Sequence, residues 1–267
     1  MAFYSIKPRP QSLDVSVVVP VRDEALNIFP LGVQIGHAMT SIGGSWECIW
    51  VDDGSSDGSA DEMIRLHNTD PRHTHIKLDG APGQSAAFAA GLSNARGRLI
   101  VTIDGDGQND PADIPRLVAM LSTENADMIQ GWREDRQIGL KRRISSRAAN
   151  AYRNKLTREN IRDVGCSLRV FRRECVDGMI AFNGMHRFFP TMVRLNGFSR
   201  IIEAPVRDRP RRYGRTKYGI RDRLGVGIGD TFAVRWMASR LIYPRLKLGT
   251  DENAANRRHL PEGCSDV

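Results

Sequence analysis

Three short apolar runs, each followed by an acidic turn, constrain the fold of this chain more than any other feature of its sequence. The runs are Val15–Val19, Cys48–Val51 and Leu99–Ile103. They lead into Pro20-Val21-Arg22-Asp23-Glu24, Asp52-Asp53-Gly54 and Asp104-Gly105-Asp106. Such runs between turn residues are typical of strands buried in a parallel sheet. Because ligands of open α/β sheets lie beyond the carboxyl ends of the strands, we expect the three turns to line one crevice.

Helix-like segments separate these runs and complete the pattern of an α/β fold. The predicted helices are Leu26–Thr40, Ser59–His67, Gln84–Asn94 and Ile114–Leu121, with a further basic helix at Lys141–Leu156. Weaker strands are predicted at His75–Leu78, Asp127–Gln130, 164–171 and 200–206. This alternation predicts a parallel sheet covered by helices in one main domain.

The composition is that of a folded protein with an anionic partner. Of the 267 residues, 40% are hydrophobic and 26% are charged, which excludes a mainly disordered chain. The net charge of +8 indicates attraction to nucleic acid, to a phosphorylated metabolite or to an acidic lipid surface, without choosing among them. Basic residues concentrate in Arg133–Arg173 and Arg207–Arg223, whereas acidic clusters lie mainly before Asp113. We therefore expect a carboxylate-rich half of the site to face a cationic half.

The cysteine pattern and the absence of long apolar runs indicate a cytoplasmic protein. The four cysteines are Cys48, Cys166, Cys175 and Cys264. They lack the C-x-x-C spacing of a zinc site and suit a reducing compartment. The first residues contain no apolar run of the signal-peptide type, and no stretch approaches the roughly 18 apolar residues of a spanning helix.

The turn Asp104-Gly105-Asp106-Gly107-Gln108 carries the strongest chemical signal. Two carboxylates two residues apart can present oxygen to Mg²⁺ or Mn²⁺, which then bridges them to a diphosphate. The reaction that needs such a clamp is the departure of a nucleoside diphosphate. A plain turn is the alternative, since Asp and Gly both favour turn geometry. An EF-hand is excluded because its twelfth loop position would be Pro115 instead of glutamate.

A second acidic turn, Asp52-Asp53-Gly54-Ser55-Ser56-Asp57-Gly58-Ser59, follows the run at Cys48–Val51. A carboxylate at the end of such a strand can accept hydrogen bonds from a ribose or a base edge, and Asp53 is the preferred contact. The alternative is that Asp57 or Ser59 only caps the next helix. We expect Ser59 to act as that cap in either case.

These motifs, taken together and in this order, resemble glycosyltransferase family two. The matching segments are Val17-Val18-Val19-Pro20-Val21-Arg22-Asp23-Glu24, Val51 to Ser59, and Asp104-Gly105-Asp106-Gly107-Gln108-Asn109-Asp110-Pro111. Within the family, the similarity is to the dolichol-phosphate mannosyltransferase-like branch, and it covers roughly Ser16 to Tyr218. The resemblance implies a GT-A fold, with a mixed, mostly parallel sheet flanked by helices, and inversion at the anomeric carbon. It places a catalytic domain at 1–220 and a C-terminal amphipathic segment and polar tail at 221–267.

The resemblance also implies roles for individual residues. Those expected to bind the nucleotide sugar are Pro20, Arg22, Glu24, Asp53, Asp104, Arg211 and Lys217. The metal, Mg²⁺ or Mn²⁺, is expected at Asp104, Asp106 and Gln108. Catalytic roles are expected for Asp106, Arg133 and Arg147. Asp163 and Ser167 would border the transferred sugar, and His186 would shape the acceptor side of the pocket.

The expected reaction moves a sugar from GDP-mannose or a UDP-sugar to a polyprenyl phosphate. A lipid monophosphate is already ionised near neutral pH, so it needs no general base but must be held against the anionic donor. Arg133 and Arg147 would hold it, since a guanidinium binds phosphate in a bidentate manner. Arg211 and Lys217 lie in a basic loop with flanking glycines and would close over the diphosphate.

Several other functions fit parts of the pattern. A glycosyltransferase that extends a cell-envelope glycan or lipopolysaccharide would need an additional carboxylate base, and the sequence offers no persuasive one after Arg133. A nucleotidyltransferase would release pyrophosphate and usually has a glycine-rich, lysine-bearing loop, which the sequence lacks. Nucleic acid is not an expected partner, because the acidic strand ends would repel it. The intact Asp104, Asp106 and Gln108 argue against an inactive relative.

The segment Leu224–Tyr243 connects the expected activity to a membrane. Its apolar residues and its arginines predict an amphipathic helix or pair of helices. Such a helix either lies in the lipid headgroup region or packs on the catalytic domain as an ordinary covering helix. We expect peripheral attachment to the cytoplasmic face of the membrane, directly or through a membrane-anchoring partner.

Overall fold

The computed structural model describes residues 4–7, 9–80, 82–134, 150–214 and 220–241, with only the backbone described over 220–226. Seven strands form one sheet: β1 (Leu13–Val21), β2 (Trp46–Asp52), β3 (His73–Lys77), β4 (Gly97–Thr102), β5 (Met128–Arg133), β6 (Arg169–Arg172) and β7 (Ile201–Val206). The α-helices are α1 (Ala25–Ile42), α2 (Ser59–Thr69), α3 (Gln84–Asn94), α4 (Ile114–Thr123), α5 (150–157), α6 (Phe189–Leu195) and α7 (Ile220–Ala238).

The sheet is mixed and mostly parallel, with the strand order β3-β2-β1-β4-β6-β5-β7. Strand β6 runs antiparallel to its neighbours β4 and β5, whereas the other paired strands are parallel. The carboxyl ends of β1, β2, β4 and β5 therefore meet at one edge of the sheet, together with the first residue of β6. This edge is where the sequence places the acidic turns.

Helices cover both faces of the sheet and bury two apolar clusters. Helices α1, α2 and α4 pack on one face over a cluster that includes the fully buried Trp50. Helices α3, α6 and α7 contribute to the second cluster, on the other face. The strands are rich in valine and isoleucine, whose branched side chains favour extended backbone and fill a sheet buried on both sides.

The predicted elements are confirmed, with shifts of a few residues at their ends. The predicted helix Gln84–Asn94 matches α3 at both ends, whereas the strand predicted over 164–171 begins only at Arg169. The basic helix predicted at Lys141–Leu156 is helical over 150–157, and its earlier part lies outside the described residues. Among the described residues, no helix combines the length and the apolar character that a membrane span requires.

Candidate active site

The turn after β4 lies directly on the end of β1. A Cβ at Gly105 would stand 3.0 Å from the carbonyl oxygen of Pro20 and 3.1 Å from Cγ2 of Val21. A side chain at this position would therefore force the neighbouring atoms to give by a few tenths of an ångström, which glycine avoids. The sequence therefore brings Asp104 and Asp106 against the segment that carries Arg22 and Glu24.

Asp104 is held by two hydrogen bonds. Its backbone N–H donates to Ser167 Oγ at 3.0 Å, and its Oδ1 accepts from Gln84 Nε2 at 2.8 Å. Ser167 Oγ in turn donates to Asn109 Oδ1 at 2.8 Å. Burial and the nearby charge of Asp106 raise the pKa of Asp104 to about 6. A neighbouring cation would favour the charged carboxylate, so this position suits a group that binds positive charge.

Asp106 contacts the basic loop that follows β7. Its Oδ1 accepts from the backbone N–H of Gln108 at 3.1 Å, and its Oδ2 lies 3.3 Å from Arg211 Nη2. The same Nη2 lies 2.7 Å from Glu24 Oε1. The backbone N–H of Arg209 also donates to the carbonyl of Gln108 at 2.8 Å. The expected meeting of a carboxylate-rich half with a cationic half is therefore present at this edge.

The chemistry of these side chains fits a hard divalent cation held jointly with a substrate. Carboxylate and amide oxygens from Asp104, Asp106 and Gln108 are suitable ligands for Mg²⁺ or Mn²⁺. Within the described ranges, no cluster of three or more His, Cys, Asp or Glu side chains has the arrangement of a metal site. Because Mg²⁺ usually takes one or two protein carboxylates and completes its shell with water and phosphate oxygens, two aspartates suffice when a diphosphate is bound.

Asp53 lies at the same edge, directly after β2. It is 3% exposed, accepts a hydrogen bond from the backbone N–H of Gly83 at 2.7 Å, and lies 3.8 Å from Arg22. Burial raises the pKa of Asp53, while Gly83 and Arg22 oppose the shift. The carboxylate is therefore fixed in place beside a partly exposed guanidinium, as a nucleoside contact requires.

The turns after β1 and β2 are linked by hydrogen bonds. The N–H of Asp23 donates to Ser55 Oγ at 2.9 Å, and the N–H of Ser56 donates to Asp23 Oδ1 at 2.7 Å. Ser59 Oγ accepts from the N–H of Glu24 at 2.9 Å. The expectation that Ser59 caps α2 is wrong: the N-cap is Gly58, and the Ser59 hydroxyl instead fixes the turn after β1.

Arg133 stands at the end of β5, at the same edge of the sheet. Its Nε and Nη2 donate to the two oxygens of Asp163 at 2.7 and 2.9 Å. Burial alone would lower the pKa of Arg133, but its pairing with Asp163 raises it above the ordinary value. Asp163 therefore orients this guanidinium. The other expected acceptor-phosphate residue, Arg147, lies outside the described residues, as does Lys217.

Three residues that support the site were not predicted from the sequence. Gln84 contacts Asp104 from the start of α3, and Asn109 supports Ser167. Arg169, which is 2% exposed, donates from Nε to Gln130 Oε1 at 2.9 Å, and burial lowers its pKa to about 10. Arg169 lies at this edge because β6 runs antiparallel to β4, a direction that the sequence pattern does not indicate.

His186 lies beside this group. Its Nδ1 is 2.7 Å from the hydroxyl of Ser85, the residue that follows Gln84. Its carbonyl oxygen accepts from Arg169 Nη2 at 3.2 Å. His186 is therefore fixed by hydrogen bonds beside the site, and its expected role on the acceptor side of the pocket stays a prediction.

Solved structures with the same fold support the GT-A assignment. Glucosyl-3-phosphoglycerate synthase from Mycobacterium tuberculosis, in complex with Mn²⁺, UDP and glucosyl-3-phosphoglycerate, superposes with a TM-score of 0.59 over 85% of this chain and 80% of that one. The same enzyme in complex with Mn²⁺ and UDP-glucose gives a TM-score of 0.60 over 85% and 79%. At 18% sequence identity, these similarities establish the fold alone.

Curated relatives are more similar in sequence. Dodecaprenyl-phosphate galacturonate synthase from Rhizobium johnstonii is 40% identical over 213 residues, which are 79% of this chain and 63% of the relative. Undecaprenyl-phosphate 4-deoxy-4-formamido-L-arabinose transferase from Salmonella paratyphi B is 37% identical over 205 residues, or 76% of this chain and 62% of the relative. The chain thus spans a little under two thirds of the length of these relatives.

The sequence model described as Glycosyl transferase family 2 matches residues 16–179, which hold the three acidic turns and the strands before them. The match covers more than half of the chain and agrees with the motifs, the GT-A fold and the relatives. This protein is therefore a member of glycosyl transferase family 2.

Proposed function

We propose that this chain transfers a sugar, with inversion at the anomeric carbon, from a nucleotide-diphosphate donor to the phosphate of a polyprenyl phosphate. The observation that carries the proposal is the meeting of Asp53, Asp104, Asp106, Arg133 and Arg211 at one sheet edge. Carboxylates for a nucleoside and a metal lie there beside guanidinium groups for phosphate. The names of two relatives, at 40% and 37% identity, describe polyprenyl-phosphate products or acceptors and support this choice of acceptor.

The donor would lie across the ends of β1, β2 and β4. Asp53 and Arg22 would hold the nucleoside end, and Asp104, Asp106 and Gln108 would face the diphosphate. A bound Mg²⁺ or Mn²⁺ would supply the positive charge that stabilises the departing nucleoside diphosphate. The donor would be GDP-mannose or a UDP-sugar.

The acceptor would approach from the side of β5. An oxygen of the lipid phosphate forms the new bond to the anomeric carbon, and the bond from that carbon to the diphosphate breaks. A phosphate monoester is ionised near pH 7, so the attack requires orientation in place of proton removal. Arg133, fixed by Asp163, would orient this phosphate together with Arg147.

Helix α7 provides the surface by which the protein would meet the lipid. Ile228, Phe232 and Trp236 are 47%, 55% and 64% exposed and are spaced four residues apart, so they form one stripe on the helix. Thr231 and Val234, on the opposite face, are buried against the domain. The helix therefore both covers the domain and exposes an apolar stripe. We infer that this stripe enters the headgroup region on the cytoplasmic side of the membrane. The nucleotide sugar and the lipid phosphate would meet there.

The direct test is product analysis. Purified protein is incubated with Mn²⁺, undecaprenyl phosphate in vesicles, and a panel of UDP- and GDP-sugars that includes hexoses, uronic acids and amino sugars. We expect mass spectrometry to detect a polyprenyl phosphate bearing one sugar, with release of the nucleoside diphosphate. Release of pyrophosphate, transfer only to glycan hydroxyls, or no product from any donor would contradict the proposal.

A further inference from the structure

Asp230 is the acidic residue on the inner face of helix α7. Its Oδ2 lies 3.6 Å from Nη1 of Arg187, and its side chain is 20% exposed. Neither of these two atoms has a hydrogen-bond partner in the described part of the chain. Burial raises the pKa of Asp230, and the charge of Arg187 opposes that shift. The pair therefore joins α7 to the domain by charge, through two buried atoms of side chains that are 34% and 20% exposed.

The turn that carries Arg187 is shaped around this carboxylate. Gly184 begins the turn with φ +98°, in the left-handed region, and a Cβ there would overlap Asp230 Oδ2. The N–H of Gly184 donates to Ser85 Oγ at 2.9 Å, and His186 Nδ1 lies 2.7 Å from the same oxygen. The hydroxyl of Ser85 therefore contacts the turn at 184–187 twice, and the other side of this turn packs against α7.

Ser85 directly follows a residue of the donor site. Gln84, the first residue of α3, donates from Nε2 to Asp104 Oδ1 at 2.8 Å. The carbonyl of His186 also accepts from Arg169, whose charge acts on Asp104. A continuous series of contacts thus runs from α7, through the turn at 184–187 and the start of α3, to the expected metal ligand.

We propose that Asp230 is a positioning residue for the transfer reaction: through Arg187 it holds the turn at 184–187, and with it His186 and Ser85, so that Gln84 stays against Asp104. The packing of α7 on the domain is then coupled to the geometry of the donor site. This inference rests on the proposed function for its kinetic consequence, but the contact series is independent of the identity of the substrate.

The test compares Asp230→Asn, which removes the charge but keeps the size of the side chain, with a matched control. The control is Asp177→Asn, which breaks the ion pair between Asp177 and Arg173 at 2.7 Å. The side chain of Asp177 is 16% exposed and is therefore buried to a similar extent as that of Asp230. We expect Asp230→Asn to lower kcat by about 3- to 30-fold with little change in the KM for the donor, as for other residues that couple to a site. Asp177→Asn is expected to lower the unfolding temperature and leave kcat unchanged.

Two further readouts separate positioning from simple loss of stability. Arg187→Gln should lower kcat as Asp230→Asn does, and the double variant should lose no more than either single variant, because both break one link. The imidazole ¹⁵N signals of His186, assigned with His186→Gln, should shift in Asp230→Asn and not in Asp177→Asn. Wild-type kcat and unchanged His186 signals in Asp230→Asn, or additive losses in the double variant, would overturn the proposal.

The two proposals can fail separately. If the wild-type protein transfers no sugar to any lipid phosphate, the proposed function fails. The His186 signals then decide whether Asp230 holds the turn. A shift of these signals in Asp230→Asn and not in Asp177→Asn would support the positioning role, and wild-type signals in Asp230→Asn would overturn it.

Discussion

The guanidinium of Arg211 lies 3.3 Å from the carboxylate of Asp106 and so joins the basic loop after β7 to the turn after β4. The two residues are far apart in the sequence, yet both face the place where a diphosphate would bind. Glu24, from the turn after β1, contacts the same guanidinium nitrogen at 2.7 Å. One arginine thus bridges two acidic turns and is placed to exchange these contacts for phosphate oxygens.

We expect Arg211→Ala to lower kcat/KM for the donor by about 100-fold, similar to the loss of one donor to a developing charge in other enzymes. Arg211→Lys should recover only part of this loss, because lysine lacks the planar fork. The control is Arg212→Ala, which changes an exposed neighbour. Steady-state kinetics with donor and lipid acceptor check the prediction. Equal activity of the two alanine variants would contradict it.

Gly105→Ala should damage the site more than the fold. The added Cβ would meet the carbonyl of Pro20 at 3.0 Å, so the turn that carries Asp104 and Asp106 must move. The neighbouring atoms must give by a few tenths of an ångström. Since a displacement of a full ångström can cost about 100-fold, we expect a loss of kcat of about 3- to 10-fold, with a destabilisation of about 1–3 kcal/mol from overpacking.

The control for Gly105→Ala is Gly36→Ala, within α1, where the nearest atom to an added Cβ is 4.0 Å away. Alanine favours helix over glycine, so this change should leave activity unaltered and stabilise the fold by about 0.5–1 kcal/mol. Chemical denaturation and kinetics on both variants measure the two effects. A fully active Gly105→Ala protein would show that the close contact of the two turns does not matter.

The meeting of the three acidic turns at one edge of the sheet could be predicted from the sequence because it depends on local patterns. Apolar runs ending at Val19, Val51 and Ile103 predict strands, and the carboxyl ends of parallel strands meet at one edge. Asp53, Asp104 and Asp106 follow those ends and are found together there. The expected role of Arg147 stays a prediction, because this residue lies outside the described part of the chain.

The supporting contacts could not be predicted, because they depend on packing between distant segments. Gln84 lies at the start of a helix, where nothing in the local sequence indicates a contact with Asp104. Arg169 reaches the site only because β6 runs antiparallel to β4 and pairs its first residue with Thr102. The Ser59 prediction failed for a related reason: a local capping rule was outweighed by a long-range hydrogen bond to Glu24.

His73 should make the stability of the fold sensitive to acid. It is 2% exposed and its Nδ1 accepts from Trp50 Nε1 at 3.1 Å, so the imidazole is held neutral. Burial lowers the pKa of His73 from 6.5 to about 4, with Asp70 opposing the shift. The unfolded chain takes up the proton more readily than the folded protein. The contribution of His73 to the unfolding free energy is therefore complete above pH 6.5 and falls as the pH decreases towards 4. The expected loss is about 3 kcal/mol of unfolding free energy.

Urea denaturation at several pH values between 7 and 4 tests this expectation. His73→Asn keeps an acceptor for Trp50 but does not titrate, so the decline in unfolding free energy should be smaller than in the wild type. His75→Asn, which changes an exposed histidine on the same strand, should leave the pH dependence unaltered. If the unfolding free energy of His73→Asn declined with pH as much as that of the wild type, the acid sensitivity would belong to other groups.

The exposed stripe on α7 should govern attachment to lipid. Replacing Ile228, Phe232 and Trp236 with serine removes apolar area that would be buried in the headgroup region, and we expect at least a 10-fold loss of binding to anionic vesicles in a flotation assay. The matched control is Val33→Ser with Ile64→Ser, which changes two exposed apolar residues on α1 and α2. Equal vesicle binding by both variants would rule out the stripe as the membrane contact.

The central claim is that Asp104 and Asp106 hold a divalent cation together with the diphosphate of the donor. Titration of Mn²⁺ followed by electron paramagnetic resonance, in the presence of UDP or GDP, tests it without relying on turnover. We predict one nucleotide-dependent Mn²⁺ site in the wild type. The same site should be present in the control Asp61→Ala, which changes an exposed acidic residue on α2. In Asp106→Ala the site should be lost, while the circular dichroism spectrum stays unchanged. Nucleotide-dependent Mn²⁺ binding of wild-type strength in Asp106→Ala would contradict the claim.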